Sequence, residues 1–115
     1  MARIHHQKLV RDGIPEKIAA SGEAYEVVRL TEDTAFEKAL REKVIEEAGE
    51  LIETSSRALF LSEYADLMIA LDALTHHLEL SEAELRLALE ENLKKKGGFK
   101  ERFFLQWSEQ NKKDN

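Results

Sequence analysis

Five carboxylates in the middle of the chain have residue types and a spacing that could hold a divalent cation. Glu46, Glu47 and Glu50 are close together, and Glu63 and Asp66 follow with a spacing of three residues. Residues three or four apart lie on the same side of an α-helix. Oxygen ligands with no histidine or cysteine nearby suit a hard ion, Mg²⁺ or Mn²⁺. The pattern therefore predicts a metal site made by Glu47, Glu50, Glu63 and Asp66.

These carboxylates interrupt helical stripes that are otherwise apolar. Glu47 shares a stripe with Leu40, Val44 and Leu51, and Glu63 and Asp66 share one with Ala70, Ala73 and Leu74. Two antiparallel helices joined by a short break would bring both acidic pairs together. Adjacent buried carboxylates do not all stay ionised without a cation. An E-x-x-E pattern on one surface helix is uninformative, but its occurrence on two neighbouring apolar stripes favours a metal role over ordinary surface charge.

The elements that must position these residues are predicted to be helical. Pro15 and Gly22 mark the start and end of a short helix. A capping box at Thr34 and Glu37 predicts a long helix that runs to about residue 55. A largely apolar helix is expected from about residue 62 to residue 78. Another capping box, at Ser81 and Glu84, predicts a last helix that ends at Gly97-Gly98.

Two apolar segments read instead as short strands. "YEVVRL" alternates and is rich in β-branched residues, and "FKERFFLQW" is rich in aromatic residues. We expect them to form a small peripheral strand pair over about 25–30 and 102–107. The tail after about residue 108 is expected to be frayed.

Composition bounds the class of protein. A chain of 115 residues favours one domain, residues 1–115, which is small enough to need a partner copy to complete its core. A formal net charge of −6 argues against binding to a nucleic-acid polymer. The absence of cysteine, of an apolar leader and of a membrane-length apolar run predicts a cytoplasmic protein without membrane contact.

The order Glu46-Glu47-x-x-Glu50 followed by Glu63-x-x-Asp66 resembles the acidic motif of the MazG-like all-α nucleoside triphosphate pyrophosphohydrolases. The flanks "KLVRDGIPEKI" and "KKKGGFKERFFL" resemble those of a small single-domain subgroup described as phosphoribosyl-ATP pyrophosphohydrolase-like or house-cleaning enzymes. The resemblance covers roughly residues 7 to 105. It implies an all-α helical bundle completed by dimerisation, as a homodimer or homotetramer.

The resemblance also implies a function. It is Mg²⁺-dependent cleavage of a nucleoside triphosphate to monophosphate and pyrophosphate, with removal of modified nucleotides as one biological role. It makes Glu47, Glu50, Glu63 and Asp66 the metal ligands, and Glu46 a residue that positions a ligand or a water. Two alternatives stay open: hydrolysis of phosphoribosyl-ATP, and a non-catalytic helical module that binds nucleotide or a partner protein.

Charge suggests how such a reaction would proceed. Glu47 or Glu50, whichever the metal does not fully engage, would accept a proton from the attacking water. Lys8, Arg11 and Lys96 are candidate phosphate contacts, because ammonium and guanidinium groups suit phosphate oxygens. A solvated basic surface is the alternative explanation for these three residues.

Overall fold

In the computed structural model, which describes residues 2–111, the chain is all-helical. Its helices are α1 (Ile14–Ala20), α2 (Asp33–Ile52), α3 (Arg57–His77) and α4 (Glu82–Lys96). The chain divides into two compact units. The first ends at Ser81 and contains α1 to α3, and the second begins at Glu82 and contains α4. No helix within residues 2–111 is both long and apolar enough to cross a membrane.

The first unit is organised around the packing of α2 against α3. The rings of Phe36, near the start of α2, and His77, at the end of α3, meet edge to face with centroids 5.2 Å apart. The two helices are therefore antiparallel, and the end of α2 lies beside the start of α3. The best-buried apolar side chains are Leu40 on α2 and Ala70 and Leu74 on α3, as the sequence stripes predict.

Most helix ends follow from local chemistry. Pro15 is in the first turn of α1, and Gly22 and Gly97 adopt φ values of +83° and +76°, in the left-handed region that favours glycine. Helix α3 begins earlier than predicted, at residue 57 rather than about residue 62. The cause is Ser56, whose hydroxyl oxygen accepts a hydrogen bond from the Leu59 N–H at 3.1 Å and caps the helix.

The capping box predicted at the start of α2 is wrong. Residue Glu32 occupies the N-cap position without a side-chain cap. The Thr34 hydroxyl donates instead to a Glu32 carboxylate oxygen at 2.6 Å, and Glu37 pairs with Arg41 at 3.0 Å. A hydroxyl with a nearby carboxylate acceptor has an alternative to the backbone, which is why the sequence pattern misplaced the cap.

The predicted strand pair is also wrong. Residues 25–30 and 102–107 are not β-strands, and within the described range the backbone hydrogen bonds do not pair them. Alternating apolar side chains fit a strand, but a strand exists only where a second backbone completes its ladder. The predicted frayed tail lies partly outside the described residues.

Candidate metal centre

Antiparallel packing brings three of the predicted ligands together. Glu47 and Glu50 lie in the last two turns of α2, and Glu63 lies in the second turn of α3. Each offers a carboxylate oxygen, and the three oxygens all lie within 4.8 Å of one another. We call these three residues the carboxylate cluster. Three oxygen donors from two helices at this separation can approach one small cation together.

Two oxygens of the cluster are buried without a partner. Glu47 is only 9% exposed and is the one charged residue among the buried residues of the described chain. Its Oε2 and the Oε2 of Glu63 have no hydrogen-bond partner among the described residues. Leaving a buried acceptor such as this Glu47 oxygen unsatisfied costs about 1–3 kcal/mol. A hard divalent cation would satisfy both oxygens, so the residues present fit the ion that their chemistry predicts.

The pKa values of two cluster residues are raised because their carboxylates are partly buried and close together. Burial, and next the neighbouring Glu50 carboxylate, raise the pKa of Glu47 to about 7, while Lys43 opposes the shift. Burial also raises the pKa of Glu63, with further contributions from Glu50 and Asp66. The metal-free cluster therefore holds protons that an isolated glutamate would lose. A cation that binds the cluster must displace them.

A lysine that the sequence reasoning missed lies at one side of the cluster. The ammonium group of Lys43 lies 2.6 Å from a Glu46 carboxylate oxygen and 3.7 Å from Glu47. Lys8, from the segment before α1, is 3.7 Å from the other Glu46 oxygen. The hydrogen bond from Lys43, together with Lys8, lowers the pKa of Glu46. The spacing of Lys43 from Glu46 and Glu47, three and four residues, was a signal that could have identified it.

Not all of the predicted site residues converge. Asp66 lies near enough to raise the pKa of Glu47 and of Glu63, but its carboxylate pairs with Arg11 at 3.5 Å. Lys8 thus connects the N-terminal segment to Glu46 on α2, and Arg11 connects it to Asp66 on α3. Lys96 is the last residue of α4, in the second unit, and its contact with a substrate stays a prediction.

Comparison with known proteins assigns no family to this chain. No protein-family model matches it. No curated protein and no solved structure matches it either. The carboxylate geometry and the ion pairs around it are therefore the observations from which a function can be argued.

The raised pKa of Glu47 predicts how stability depends on pH without metal. The unfolded chain loses this proton near pH 4.5 and the folded chain near pH 7. The stabilisation linked to this proton is complete below pH 4.5 and is lost as the pH rises through about 7, a change of up to about 3 kcal/mol. In EDTA, the free energy of unfolding by urea should fall less between pH 5 and pH 8 for Glu47→Gln than for the wild type.

Glu42→Gln is the matched control, because Glu42 is exposed on the same helix outside the cluster. This variant should keep the wild-type loss of stability. If Glu47→Gln kept it too, another group would be responsible for the pH dependence.

Proposed function

We propose that the protein is a Mg²⁺-dependent nucleoside triphosphate pyrophosphohydrolase of the MazG-like all-α superfamily. It would release a nucleoside monophosphate and pyrophosphate, and Mn²⁺ would substitute for Mg²⁺. The observation that carries the proposal is the carboxylate cluster, in which two helices direct three oxygens towards one point and leave two buried oxygens without partners. That arrangement destabilises the metal-free fold, so a bound cation is its simplest physical explanation.

The chain's own residues would handle the water and its proton. When bound, the cation neutralises the polyphosphate and polarises the attacked phosphorus. Glu47 or Glu50 accepts the proton from the attacking water. A general base works best when its pKa is near the working pH. Without a cation the pKa of Glu47 is raised to about 7. A bound cation would lower it, so the base would be whichever of Glu47 and Glu50 the cation engages less.

Basic side chains next to the cluster support a polyphosphate ligand. Lys8 and Lys43 both reach Glu46, and Arg11 reaches Asp66. Acidic residues that gather a cation, with ammonium and guanidinium groups at their edge, match the charge pattern of a metal-bound polyphosphate. Cations at the edge weaken the binding of a metal ion by itself but attract the phosphates of a metal-bound nucleotide.

The first test is pyrophosphate release from standard and modified nucleoside triphosphates and from phosphoribosyl-ATP, with Mg²⁺, Mn²⁺ or EDTA. We expect turnover of one group with metal and none with EDTA. Glu47→Gln should lower kcat by at least about 100-fold with the helical content unchanged. Glu42→Gln should leave kcat unchanged.

The substrate group that turns over identifies the reaction. Release only from phosphoribosyl-ATP would favour the alternative function, hydrolysis of phosphoribosyl-ATP, over a house-cleaning role. Metal binding with no release from any of these substrates would contradict the proposed enzyme and favour a nucleotide-binding module.

We also propose that Asp66 joins the metal ligands when the cation binds and that Arg11 then turns to the phosphates. Both side chains of this ion pair are roughly half exposed, so exchanging its partner costs on the order of 1 kcal/mol or less. Without nucleotide, Arg11→Gln should bind Mn²⁺ about two- to fivefold more tightly, because Asp66 is released. Its KM for the nucleotide should nevertheless rise about tenfold, because a charged phosphate contact is lost.

Titration calorimetry with Mn²⁺ and steady-state kinetics measure these two effects separately. Arg3→Gln, an exposed change in the same N-terminal segment, should alter neither. Unchanged Mn²⁺ affinity in Arg11→Gln would remove Asp66 from the ligand set, and an unchanged KM would remove Arg11 from substrate binding.

We propose further that the protein works as a homodimer or homotetramer. On α3, one side faces α2 through Ala70 and Leu74, and the opposite side carries an exposed apolar stripe. The stripe consists of Leu61, Tyr64, Met68 and Leu71. A second copy with the same stripe is the simplest partner that would cover it.

Light scattering should give two or four times the mass of one chain. Met68→Lys puts a charge in the centre of the stripe and should reduce that mass. Ser62→Lys adds the same charge to α3 outside the stripe and should preserve it. A wild-type mass of a single chain would contradict the proposed oligomer.

A further inference from the structure

Gly49 is in the last part of α2, where the fold gives no reason for a glycine. A glycine inside a helix costs about 1 kcal/mol relative to alanine. Gly22 and Gly97 are explained by their positive φ values, but Gly49 is helical. A Cβ atom added to Gly49 would meet no atom within 4 Å, so no neighbour in the described chain requires the missing side chain.

The space in front of Gly49 is an open cleft of about 450 Å³. One wall is a single face of α2, the other is the first part of α3, and Thr54 in the connection between the helices also lines the cleft. The lining residues are Glu46, Gly49, Glu50, Glu53, Thr54, Leu59 and Glu63. Because Glu50 and Glu63 belong to both the cleft and the carboxylate cluster, the cleft continues directly from the proposed metal site.

From this continuity we infer that the cleft over Gly49 binds the nucleoside part of the substrate, an inference that rests on the proposed function. The polyphosphate would lie at the cluster, and the base and sugar would extend towards the connection between α2 and α3. The volume lies within the range of small-molecule sites, about 300–1,000 Å³. A flat base can lie against the bare backbone of Gly49 and the exposed side chain of Leu59.

Charge fixes the direction of the ligand. Lys8 and Lys43 pair with Glu46, the lining residue of α2 that is farthest from the connection between the helices. Arg11 pairs with Asp66, which is one turn farther from the connection on α3 than Glu63. The phosphates therefore belong on the side of these cations.

The part of the cleft beside the connection offers acceptors instead. Glu53 has a carboxylate, and the Thr54 hydroxyl already donates its hydrogen to the Leu51 carbonyl at 2.8 Å, which leaves its oxygen as an acceptor. Ribose hydroxyls and the N–H groups of a base are donors. This part of the cleft thus complements a nucleoside and would repel a further phosphate.

The test replaces Gly49 with larger residues in the full chain. Gly49→Ala and Gly49→Leu should both fold, because the added atoms enter open space and both residues favour a helix more than glycine does. The unfolding temperature should stay the same or rise. The KM for the nucleoside triphosphate should rise for alanine and by about tenfold or more for leucine. The Mn²⁺ affinity should not change.

Inorganic triphosphate is the internal control, since it has phosphates but no nucleoside. Its inhibition constant should be the same in the wild type and in both variants. Lys38→Leu places a leucine on the exposed start of α2, away from the cleft, and should leave the KM unchanged.

The outcomes separate the two levels of the hypothesis. If the wild type turns over nucleotide and Gly49→Leu keeps its KM, the nucleoside site is wrong and the proposed function stands. The nucleoside site is also wrong if the substitutions weaken inorganic triphosphate equally, or if they change the mass in light scattering, which would mean that a second copy fills the cleft. If the wild type releases no pyrophosphate from any substrate, both hypotheses are wrong.

Discussion

Mutual repulsion among the carboxylates of Glu47, Glu50 and Glu63 is the constraint around which the first unit is built. Their oxygens lie within 4.8 Å of one another at the contact between α2 and α3. The helix contact that forms the hydrophobic core therefore also forces the charges together. Such an arrangement is unfavourable unless protons or a cation neutralise it. The core and the site are thus two consequences of one helix pairing.

The charges around the cluster have different tasks. Lys43 and Lys8 keep Glu46 ionised, so this residue holds basic groups at the edge of the cluster rather than belonging to the three converging oxygens. Arg11 pairs with Asp66 in a more exposed position, where a partner can be exchanged at low cost. The N-terminal segment is thereby attached to α2 and α3 through the same side chains that would meet phosphate.

The sequence alone predicted the four helices and the residues of the carboxylate cluster. Helical periodicity placed Glu47, Glu50 and Glu63 on apolar stripes, and their oxygen-only chemistry indicated a hard divalent cation. The stops at Gly22 and Gly97 could be predicted because few other residues adopt their backbone conformation. The strand pair was predicted wrongly because alternation describes side chains, whereas a strand needs a second backbone at hydrogen-bonding distance.

Only the tertiary structure decided how the acidic residues divide their roles. Four ligands of equal standing were expected, but packing placed Asp66 against Arg11 and left three oxygens together. The partners of a charged group depend on distances in three dimensions. Sequence spacing gives these distances between residues of one helix, but not between residues of different helices. Lys43 could have been found from its spacing, since its partners are on its own helix. The open space in front of Gly49 could not be predicted from the sequence, because it depends on the position of α3.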